Sequence, residues 1–246
     1  PDTLELTNLN RIRGSINELT EPKVYMAARQ IYDLDPYANL TLYPEGVTEE
    51  NIEEFVDGLD IAIDEMDNLN LKIRLRQEAK KRKIPVLMAT DNGDSGLLDI
   101  ERHDLEEDIP FFHGRAGDNV ADRVLGKKIP LPVLGKMIGE ELIGYDLLET
   151  RMQESLLAIG KSIPTWPQLG GAAYLNGVAI AVAVRKILND QPIVKERAVL
   201  SLSSWLIPDY NSPESIKARK EATDKFAAEY DANIKAFLAN FTPPKE

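Results

Sequence analysis

The chain has 246 residues and a formal net charge of −12 at pH 7, from 41 acidic and 29 basic side chains. That excess argues against a surface that neutralises the phosphates of a nucleic acid or an anionic lipid. The absence of cysteine excludes disulfides, thiolate metal sites and thiol nucleophiles, and two histidines leave little for a histidine-based metal site or a Ser–His–Asp triad. A hydrophobic share of 43% over this length suits one large α/β domain, or one domain with an appendage.

Two features bear on where the protein resides. The amino-terminal residues Pro1-Asp2-Thr3 do not begin the basic patch and apolar run that target a chain for export. The most apolar segment, Gly177–Val184, is short, follows Asn176 and is followed at once by Arg185. We therefore expect this segment to be a buried helix of a soluble, cytoplasmic protein and not a membrane span. The chain also begins without Met, and we therefore expect it to be a fragment or a processed piece.

Helical and strand patterns alternate along the first hundred residues. A helix is predicted from Thr20-Glu21-Pro22, where proline suits the first turn, to Asp35-Pro36. A short acidic helix capped near Thr48, and a longer one that ends at the basic run Lys80–Lys83, follow the same signals. Strands are predicted over Asn39–Tyr43, Asp60–Asp64, Ile84–Thr90 and Gly96–Glu101. This alternation is typical of a Rossmann-like, doubly wound α/β sheet with right-handed crossovers.

The second half of the chain is organised differently. Residues 104–119 have the composition of an irregular loop, and residues 129–161 contain helical segments. A helix of small residues is predicted over Leu169–Leu188, and a strand over Arg197–Trp205. From Pro208 onward the sequence is polar and helical. We therefore predict one domain over residues 1–207 and a polar helical tail over residues 208–246.

Polar residues follow two of the predicted strands, at the edge where such sheets bind their ligands. One group is Asp64-Glu65-Met66-Asp67-Asn68, and the other is Asp91 to Gly96. An aspartate such as Asp67 can serve Mg²⁺, which prefers oxygen ligands and phosphates. Arg11 and Lys23, near the amino terminus, can neutralise phosphates during transfer. A purely structural role explains the same residues equally well, because Asp67-Asn68 can cap a helix and residues 91–96 can form a turn.

Taken together and in order, these segments resemble the ThiF/MoeB/ubiquitin-activating-enzyme family, whose pattern is D-x-D, S-N-L-x-R-Q, P-K, N-P, D-x-x-D-N and I-P. The matching segments are Asp2–Arg11, Glu21-Pro22-Lys23, Asp35-Pro36, Asp64–Asn68 and Ile84-Pro85-Val86. The resemblance is close over residues 1–101 and looser over Trp166–Leu188. The run Leu97–Gly114 looks most like the ThiF domains that are fused to nitroreductase domains in bacteria, although no nitroreductase sequence is present here.

The resemblance implies a function. Family members adenylylate a carboxylate with MgATP, most often the C-terminal glycine of a ubiquitin-like or sulfur-carrier protein, and one branch acts on a modified base of tRNA. By resemblance, Asn8 and Arg11 contact the phosphates and Lys23 stabilises the departing pyrophosphate. Asp67 holds Mg²⁺, and Asn68 lies beside the nucleotide. The domain over residues 1–207 is then a ThiF-like nucleotide-binding domain, and the net charge disfavours a tRNA substrate.

Self-association is a further expectation. Small side chains at Gly170-Gly171-Ala172-Ala173, and at Ala179, Ala181 and Ala183, allow another helix to approach closely. Packing within the chain explains them equally well, because buried Ala and Gly are common in any core. The resemblance favours a homodimer, since members of the family are usually dimers.

The sequence also departs from the family pattern. The glycine-rich phosphate loop, the first strand and the first aspartate of D-x-D have no counterpart, and Asp2 matches only the second aspartate. Thr7 replaces Ser, Ile12 replaces Gln and Lys72 replaces Arg. Without the backbone donors of a glycine loop, we expect this chain to bind ATP weakly or not at all and its sheet to expose an apolar edge. Two alternatives stay open: an inactive nucleotide-binding or scaffolding relative, and a nicotinamide-dependent oxidoreductase, for which no G-x-G-x-x-G is visible.

Overall fold

In the computed structural model, which describes residues 1–241, four strands form one mixed sheet in the order β1-β2-β3-β4. The strands are β1 (Ala62–Ile63), β2 (Val86–Asn92), β3 (Ser95–Glu101) and β4 (Arg197–Ser201). β1 runs parallel to β2, and the other neighbours are antiparallel. The α-helices are α1 (Lys23–Leu34), α2 (Ile52–Val56), α3 (Leu69–Lys81), α4 (Val120–Val124), α5 (Leu131–Lys136), α6 (Thr150–Ala158), α7 (Gly170–Leu188), α8 (Leu202–Leu206) and α9 (Pro213–Asn240).

Both faces of β2 are buried, each by a different helix. Val86 and Met88 pack toward α3, which connects β1 to β2 and buries Leu75 and Ile73. Leu87 and Ala89 point the other way and pack against α7, together with Leu98 and Ile100 of β3; the α7 residues in this contact are Ile180, Ala183 and Ile187. Because successive side chains of a strand alternate between faces, an unbroken apolar strand needs cover on both sides. The result is a layered α/β fold with helices on both faces of the sheet, as the sequence predicts.

Two glycines let α7 approach its neighbours closely. A Cβ atom at Gly96 of β3 would lie 1.9 Å from the side-chain oxygen of Asn176, so only glycine leaves room for this side chain. A Cβ atom at Gly170, the first residue of α7, would lie 2.1 Å from the backbone oxygen of Asn10. By length and composition, α7 is the one helix within residues 1–241 that could cross a membrane. Its inner side packs on the sheet, and its outer side is exposed within the described residues.

The helical C-terminal portion packs on the rest of the chain. Phe226 of α9 is buried in a cluster with Tyr145 and Leu156, and its ring meets that of Tyr145 edge to face at 5.0 Å. Gln153 of α6 donates a hydrogen bond to the hydroxyl of Thr223 (2.8 Å). The predicted helix is therefore present in α9, whereas the boundary between residues 207 and 208 stays a prediction. The end of the predicted tail, residues 242–246, lies outside the described residues.

Two predicted strands differ from the structure. Residues 39–43 are irregular, because within residues 1–241 no strand lies beside them to pair with their backbone. The strand predicted over Arg197–Trp205 ends at Ser201, where α8 begins. The hydroxyl oxygen of Ser201 accepts a hydrogen bond from the backbone N–H of Ser204 (3.1 Å), which caps that helix.

Candidate functional site

The turn from β1 to α3 carries the D-x-x-D-N residues, and its first aspartate is entirely buried. An oxygen of Asp64 lies 2.5 Å from the guanidinium of Arg76, and the other lies 3.2 Å from the ammonium group of Lys72. Burial favours the neutral carboxyl group, but the two cations outweigh burial and lower the pKa of Asp64. Asp64 is therefore an ionised structural residue that anchors the turn.

Asp67 and Asn68 lie at the end of the same turn and are exposed. Asn68 is the N-cap of α3, and its side-chain oxygen accepts a hydrogen bond from the backbone N–H of Leu71 (3.2 Å). The sequence allowed a capping role for Asp67-Asn68, and the structure assigns the cap to Asn68. Asp67 takes part in no ion pair within residues 1–241, so its carboxylate faces solvent at the start of α3.

Two further carboxylates lie at this edge of the sheet. Glu65 is an exposed residue when all of its atoms are counted. Its Oε1 nevertheless accepts a hydrogen bond from the backbone N–H of Ala89 in β2 (3.1 Å). Burial of the carboxylate raises the pKa of Glu65 to about 7, while the hydrogen bond from Ala89 and the positive charge of Lys72 act in the opposite direction. Asp91, near the end of β2, accepts a hydrogen bond from the amide of Asn176 (2.7 Å). Burial raises the pKa of Asp91, while that bond and the positive charge of Arg11 oppose the rise.

Arg11 and Asn8 lie in the amino-terminal loop. Asn8 is buried, and its Oδ1 accepts a hydrogen bond from the backbone N–H of Glu5 (3.0 Å). Arg11 is half-buried and donates to the backbone oxygen of Thr7 and to the side-chain oxygen of Asn10, both at 3.0 Å. The same loop contacts the start of α7, where the amide of Asn10 donates to the backbone oxygen of Gln168 (2.8 Å). The loop therefore holds Arg11 near Asp91 and the end of β2.

Lys23 begins α1 and forms an ion pair with Asp2. The hydrogen bond from Lys23 lowers the pKa of the Asp2 carboxyl group. The backbone N–H of Arg11 donates to the backbone oxygen of Asn8 (3.0 Å), but within residues 1–241 no side-chain hydrogen bond or ion pair joins any two of Asn8, Arg11, Lys23, Asp67 and Asn68. The structure thus brings Arg11 to the strand ends, keeps Asp67 and Asn68 together, and holds Lys23 on Asp2.

An open pocket adjoins the D-x-x-D-N turn. Its volume is about 380 Å³, and it lies between residues 47–49, the first turn of α3 and residues 126–128. Its polar wall includes Asn68, Asn70 and Lys128. The backbone N–H of Gly126 donates to the side-chain oxygen of Asn70 (3.1 Å), which ties the third segment to the helix. A ligand in this pocket would contact Asn68 and lie beside the sheet.

A magnesium ion fits this edge of the sheet in one specific way. Within residues 1–241 no three His, Asp or Glu side chains come together closely enough to hold a metal ion between them. Mg²⁺ commonly takes one or two protein carboxylates and fills its remaining positions with water and substrate phosphates. The free, exposed carboxylate of Asp67 suits that mode, whereas the oxygens of Asp64 are already occupied by Arg76 and Lys72.

Sequence reasoning missed several residues of this region. Arg76, Glu101 and Asn176 are buried polar groups whose partners are far away in sequence, and their spacing gives no local signal. Glu65 lies inside the D-x-x-D-N segment, but its contact with Ala89 depends on the pairing of β1 with β2.

Comparison with known proteins identifies the segment that carries these residues. Residues 1–98 match the sequence model of the ThiF family, and we call them the ThiF segment. This segment includes the amino-terminal loop, the D-x-x-D-N turn and β2. Residues 1–98 belong to the ThiF family. The resemblance predicted from the sequence is therefore confirmed over the ThiF segment.

Three curated proteins are similar to the chain. An uncharacterised protein of Mycobacterium tuberculosis is 38% identical over 209 residues, which are 83% of this chain and 28% of that protein. The tRNA threonylcarbamoyladenosine dehydratase of Bacillus subtilis is 35% identical over 88 residues, covering 35% of each chain. The sulfur carrier protein adenylyltransferase of Thermus thermophilus is 25% identical over 117 residues, 47% of this chain and 41% of that protein. The chain thus spans between 28% and 41% of the lengths of these relatives.

A solved structure supports the fold beyond the ThiF segment. The crystal structure of selenomethionine PaaA aligns with 82% of this chain and 59% of its own, with a TM-score of 0.53 and 15% sequence identity. Similarity at that level of identity concerns the fold alone. The α/β, Rossmann-like class predicted from the sequence is confirmed.

Proposed function

We propose that the protein containing this chain activates a carboxylate by ATP-dependent adenylylation, as a cytoplasmic nucleotidyltransferase that uses Mg²⁺. One observation supports this most directly. The ThiF segment holds Arg11 near the end of β2, next to the turn where Asp67 presents a free carboxylate. A cation and a metal-binding carboxylate at one sheet edge suit the transfer of a nucleotide.

Each predicted site residue has a role in this proposal. Arg11 and Asn8 bind the phosphates of ATP, and Lys23 leaves Asp2 to stabilise the departing pyrophosphate. Asp67 holds Mg²⁺, which supplies positive charge to the phosphates, and Asn68 binds beside the nucleotide while it caps α3. Because Arg11 donates two hydrogen bonds to its own loop, its guanidinium is already oriented when ATP arrives.

The reaction needs no side-chain nucleophile. An oxygen of the substrate carboxylate attacks the α-phosphorus of ATP and forms a new P–O bond. The bond between the α-phosphorus and the oxygen that bridges it to the β-phosphorus breaks, and pyrophosphate leaves. Negative charge develops on the α-phosphate and on the leaving group, so fixed cations accelerate the step by electrostatic stabilisation. The absence of cysteine is compatible with this step and excludes a later thioester on this chain.

We propose a small carrier protein or a peptide as the source of the carboxylate. The similarity to a sulfur carrier protein adenylyltransferase supports this choice. The similarity to a tRNA threonylcarbamoyladenosine dehydratase offers RNA as the other choice, but the net charge of −12 opposes a phosphate-rich substrate. We further propose that the protein acts as a homodimer.

The test of adenylylation is the variant Asp67→Ala in the natural protein that contains residues 1–246. We expect loss of ATP–pyrophosphate exchange with little change in the melting temperature, because Asp67 is exposed and Asn68 supplies the cap. The matched control is Asp60→Ala, since Asp60 is also exposed and lies at the other end of β1. Exchange that persists in Asp67→Ala would overturn its role, and absence of exchange in the unaltered protein with any carrier or peptide carboxylate would favour the inactive relative.

A further inference from the structure

Helix α7 places one amide group against the sheet. Of its five buried residues, four are apolar and the other is Asn176, which is 5% exposed. The Nδ2 of Asn176 donates a hydrogen bond to Asp91 (2.7 Å), whereas its Oδ1 has no hydrogen-bond partner within residues 1–241. A buried amide oxygen without a partner costs free energy, so an apolar residue would stabilise this packing better. The bond to Asp91 is therefore what Asn176 contributes at this position.

The sheet leaves room for this bond and directs the carboxylate toward it. Asp91 lies opposite Gly96 in the pairing of β2 with β3, and a Cβ atom at Gly96 would lie 1.9 Å from the Oδ1 of Asn176. Because side chains of a strand alternate between faces, Asp91 points to the same side of β2 as Leu87 and Ala89, which pack against α7. Strand register and the missing side chain of the glycine together fix the direction of the Asp91 carboxylate.

The positive charge of Arg11 acts on the same carboxylate. It lowers the pKa of Asp91, in opposition to burial, which raises it. Both hydrogen bonds of Arg11 to its own loop, to Thr7 and Asn10, come from one nitrogen, Nη1. The Nη2 and Nε atoms of the guanidinium donate to no group within residues 1–241. These donors are available to a phosphate, while the charge of Asp91 attracts the guanidinium to the end of β2.

The start of α7 also fixes the backbone that carries Arg11. The amide of Asn10 donates to the backbone oxygen of Gln168, just before the helix (2.8 Å). A Cβ atom at Gly170 would lie 3.9 Å from the Cα of Arg11, so the amino-terminal loop rests on the first turn of α7. From Gly170 to Asn176 the helix rises by about 9 Å. One helix therefore holds both the backbone of the Arg11 loop and the carboxylate that attracts its guanidinium.

We propose that Asp91 and Asn176 are positioning residues of the nucleotide site: Asn176 fixes the Asp91 carboxylate, and Asp91 holds the guanidinium of Arg11 at the end of β2 for the phosphates of ATP. This inference rests on the proposed function and adds α7, which lies outside the ThiF segment, to the site. The Asp91 carboxylate also repels the phosphates. The proposal requires that its effect on Arg11 outweighs this repulsion, and the two effects predict opposite changes in ATP affinity when the charge is removed.

The variant Asp91→Asn, in the natural protein that contains residues 1–246, separates the two effects. The new side chain keeps an oxygen for the amide of Asn176 and loses only the charge. We expect the dissociation constant of MgATP, measured by calorimetric titration, to rise about fivefold, the size expected of one charge contact that is screened by water. In ATP–pyrophosphate exchange we expect the KM for ATP to rise by a similar factor while kcat changes little, because Arg11 binds the phosphates before the reaction.

The matched control is Asp94→Asn, since Asp94 is exposed in the turn that follows β2. We expect this control to bind MgATP like the unaltered protein, and both variants to keep its melting temperature. A merely structural role of Asp91 would lower the melting temperature of Asp91→Asn and leave the KM for ATP unchanged in the folded fraction.

A double-mutant cycle tests whether α7 acts through Asp91. We expect Asn176→Ala alone to weaken MgATP binding about fivefold, as expected for the loss of one hydrogen bond to a charged group. We expect the same change to add less than about twofold when Asp91→Asn is already present, because the two residues act in series. An equal loss in both backgrounds would overturn the action of Asn176 through Asp91. If Asn176→Ala does not fold, the single variant Asp91→Asn decides the proposal.

The remaining outcomes separate this inference from the proposed function. Unchanged or tighter binding of MgATP by Asp91→Asn would overturn the inference, because the carboxylate would then not hold Arg11 for the phosphates. Binding of MgATP by the unaltered protein without any exchange would contradict adenylylation, while the dissociation constants would still measure the positioning of Arg11. Absence of MgATP binding by the unaltered protein would overturn both.

Discussion

The guanidinium of Arg76 lies 2.5 Å from a carboxylate oxygen of Asp64, and neither side chain is exposed to solvent. The same guanidinium lies 2.7 Å from Glu101 at the end of β3 and 4.0 Å above the ring of Phe112. With Lys72 on the other oxygen of Asp64, two cations meet two carboxylates in the interior. This buried cluster connects the turn that carries Asp67 with β3, so the position of the candidate site depends on residues that do not reach it.

We expect Arg76→Met to lower the free energy of unfolding by about 3–5 kcal/mol, because it leaves the buried Glu101 without its paired cation and Asp64 with Lys72 alone. Urea denaturation followed by circular dichroism measures the change. Arg74→Met is the matched control on the same helix, since Arg74 is partly exposed and lies 3.6 Å from Glu49. Its expected cost is below about 1 kcal/mol. Equal losses for the two variants would show that burial of the pair contributes nothing.

His103 makes stability depend on pH. The side chain is buried, and within residues 1–241 neither ring nitrogen has a hydrogen-bond partner. Burial lowers its pKa to about 4, and the nearby charges of Lys80 and Arg76 act in the same direction. The unfolded chain therefore binds a proton at a pH where the folded chain does not. The free energy of unfolding should rise with pH between about 4 and 6.5, by roughly 3 kcal/mol from this group.

The variant His103→Phe isolates that contribution. Glu65 acts in the opposite direction, because its raised pKa of about 7 makes the folded state bind the extra proton. The difference in stability between the unaltered chain and His103→Phe removes the effect of Glu65. We expect this difference to favour the unaltered chain more at pH 7 than at pH 4, as measured by urea denaturation. A difference that does not change with pH would mean that His103 titrates normally in the folded state.

We expect the 246-residue chain to bind MgATP weakly or not at all. Its sequence contains no G-x-G-x-x-G, so the backbone donors that usually hold phosphates are not supplied by such a loop. Arg11 is only half-buried and Lys23 is paired with Asp2. Two charges 4 Å apart in water interact by about 1 kcal/mol, too little to replace a preorganised site. Calorimetric titration decides the matter, and micromolar affinity would show that the side chains suffice.

The sequence predicts those elements whose signals are local. Helix α1 begins at Lys23, directly after Pro22, and α3 begins after its cap at Asn68. The apolar run from Ile84 predicts β2 because both of its faces are buried, and that requirement is visible in the residues themselves. The ThiF resemblance was found in the same way, from short motifs in order along the chain.

Features that depend on contacts between residues far apart in the sequence were not predictable. Residues 39–43 alternate like a strand but have no neighbour in the described sheet, and β4 ends where the hydroxyl of Ser201 turns to cap α8. The cluster around Arg76 joins residues 64, 76 and 101, whose separation along the chain leaves no pattern. The outer side of α7 is exposed within the described residues, and that exposure is a property of the folded chain that the sequence does not show.

The contact of Gly170 with the backbone oxygen of Asn10 constrains how related sequences can vary. A side chain at residue 170 would collide with the backbone carbonyl of Asn10, a residue whose side-chain amide is hydrogen-bonded to the backbone oxygen of Gln168. The substitutions open to this position are therefore fewer than at Gly171, its neighbour, where a methyl group would meet nothing. Among related chains, we expect those that keep this contact between α7 and the amino-terminal loop to keep glycine at the first residue of the helix.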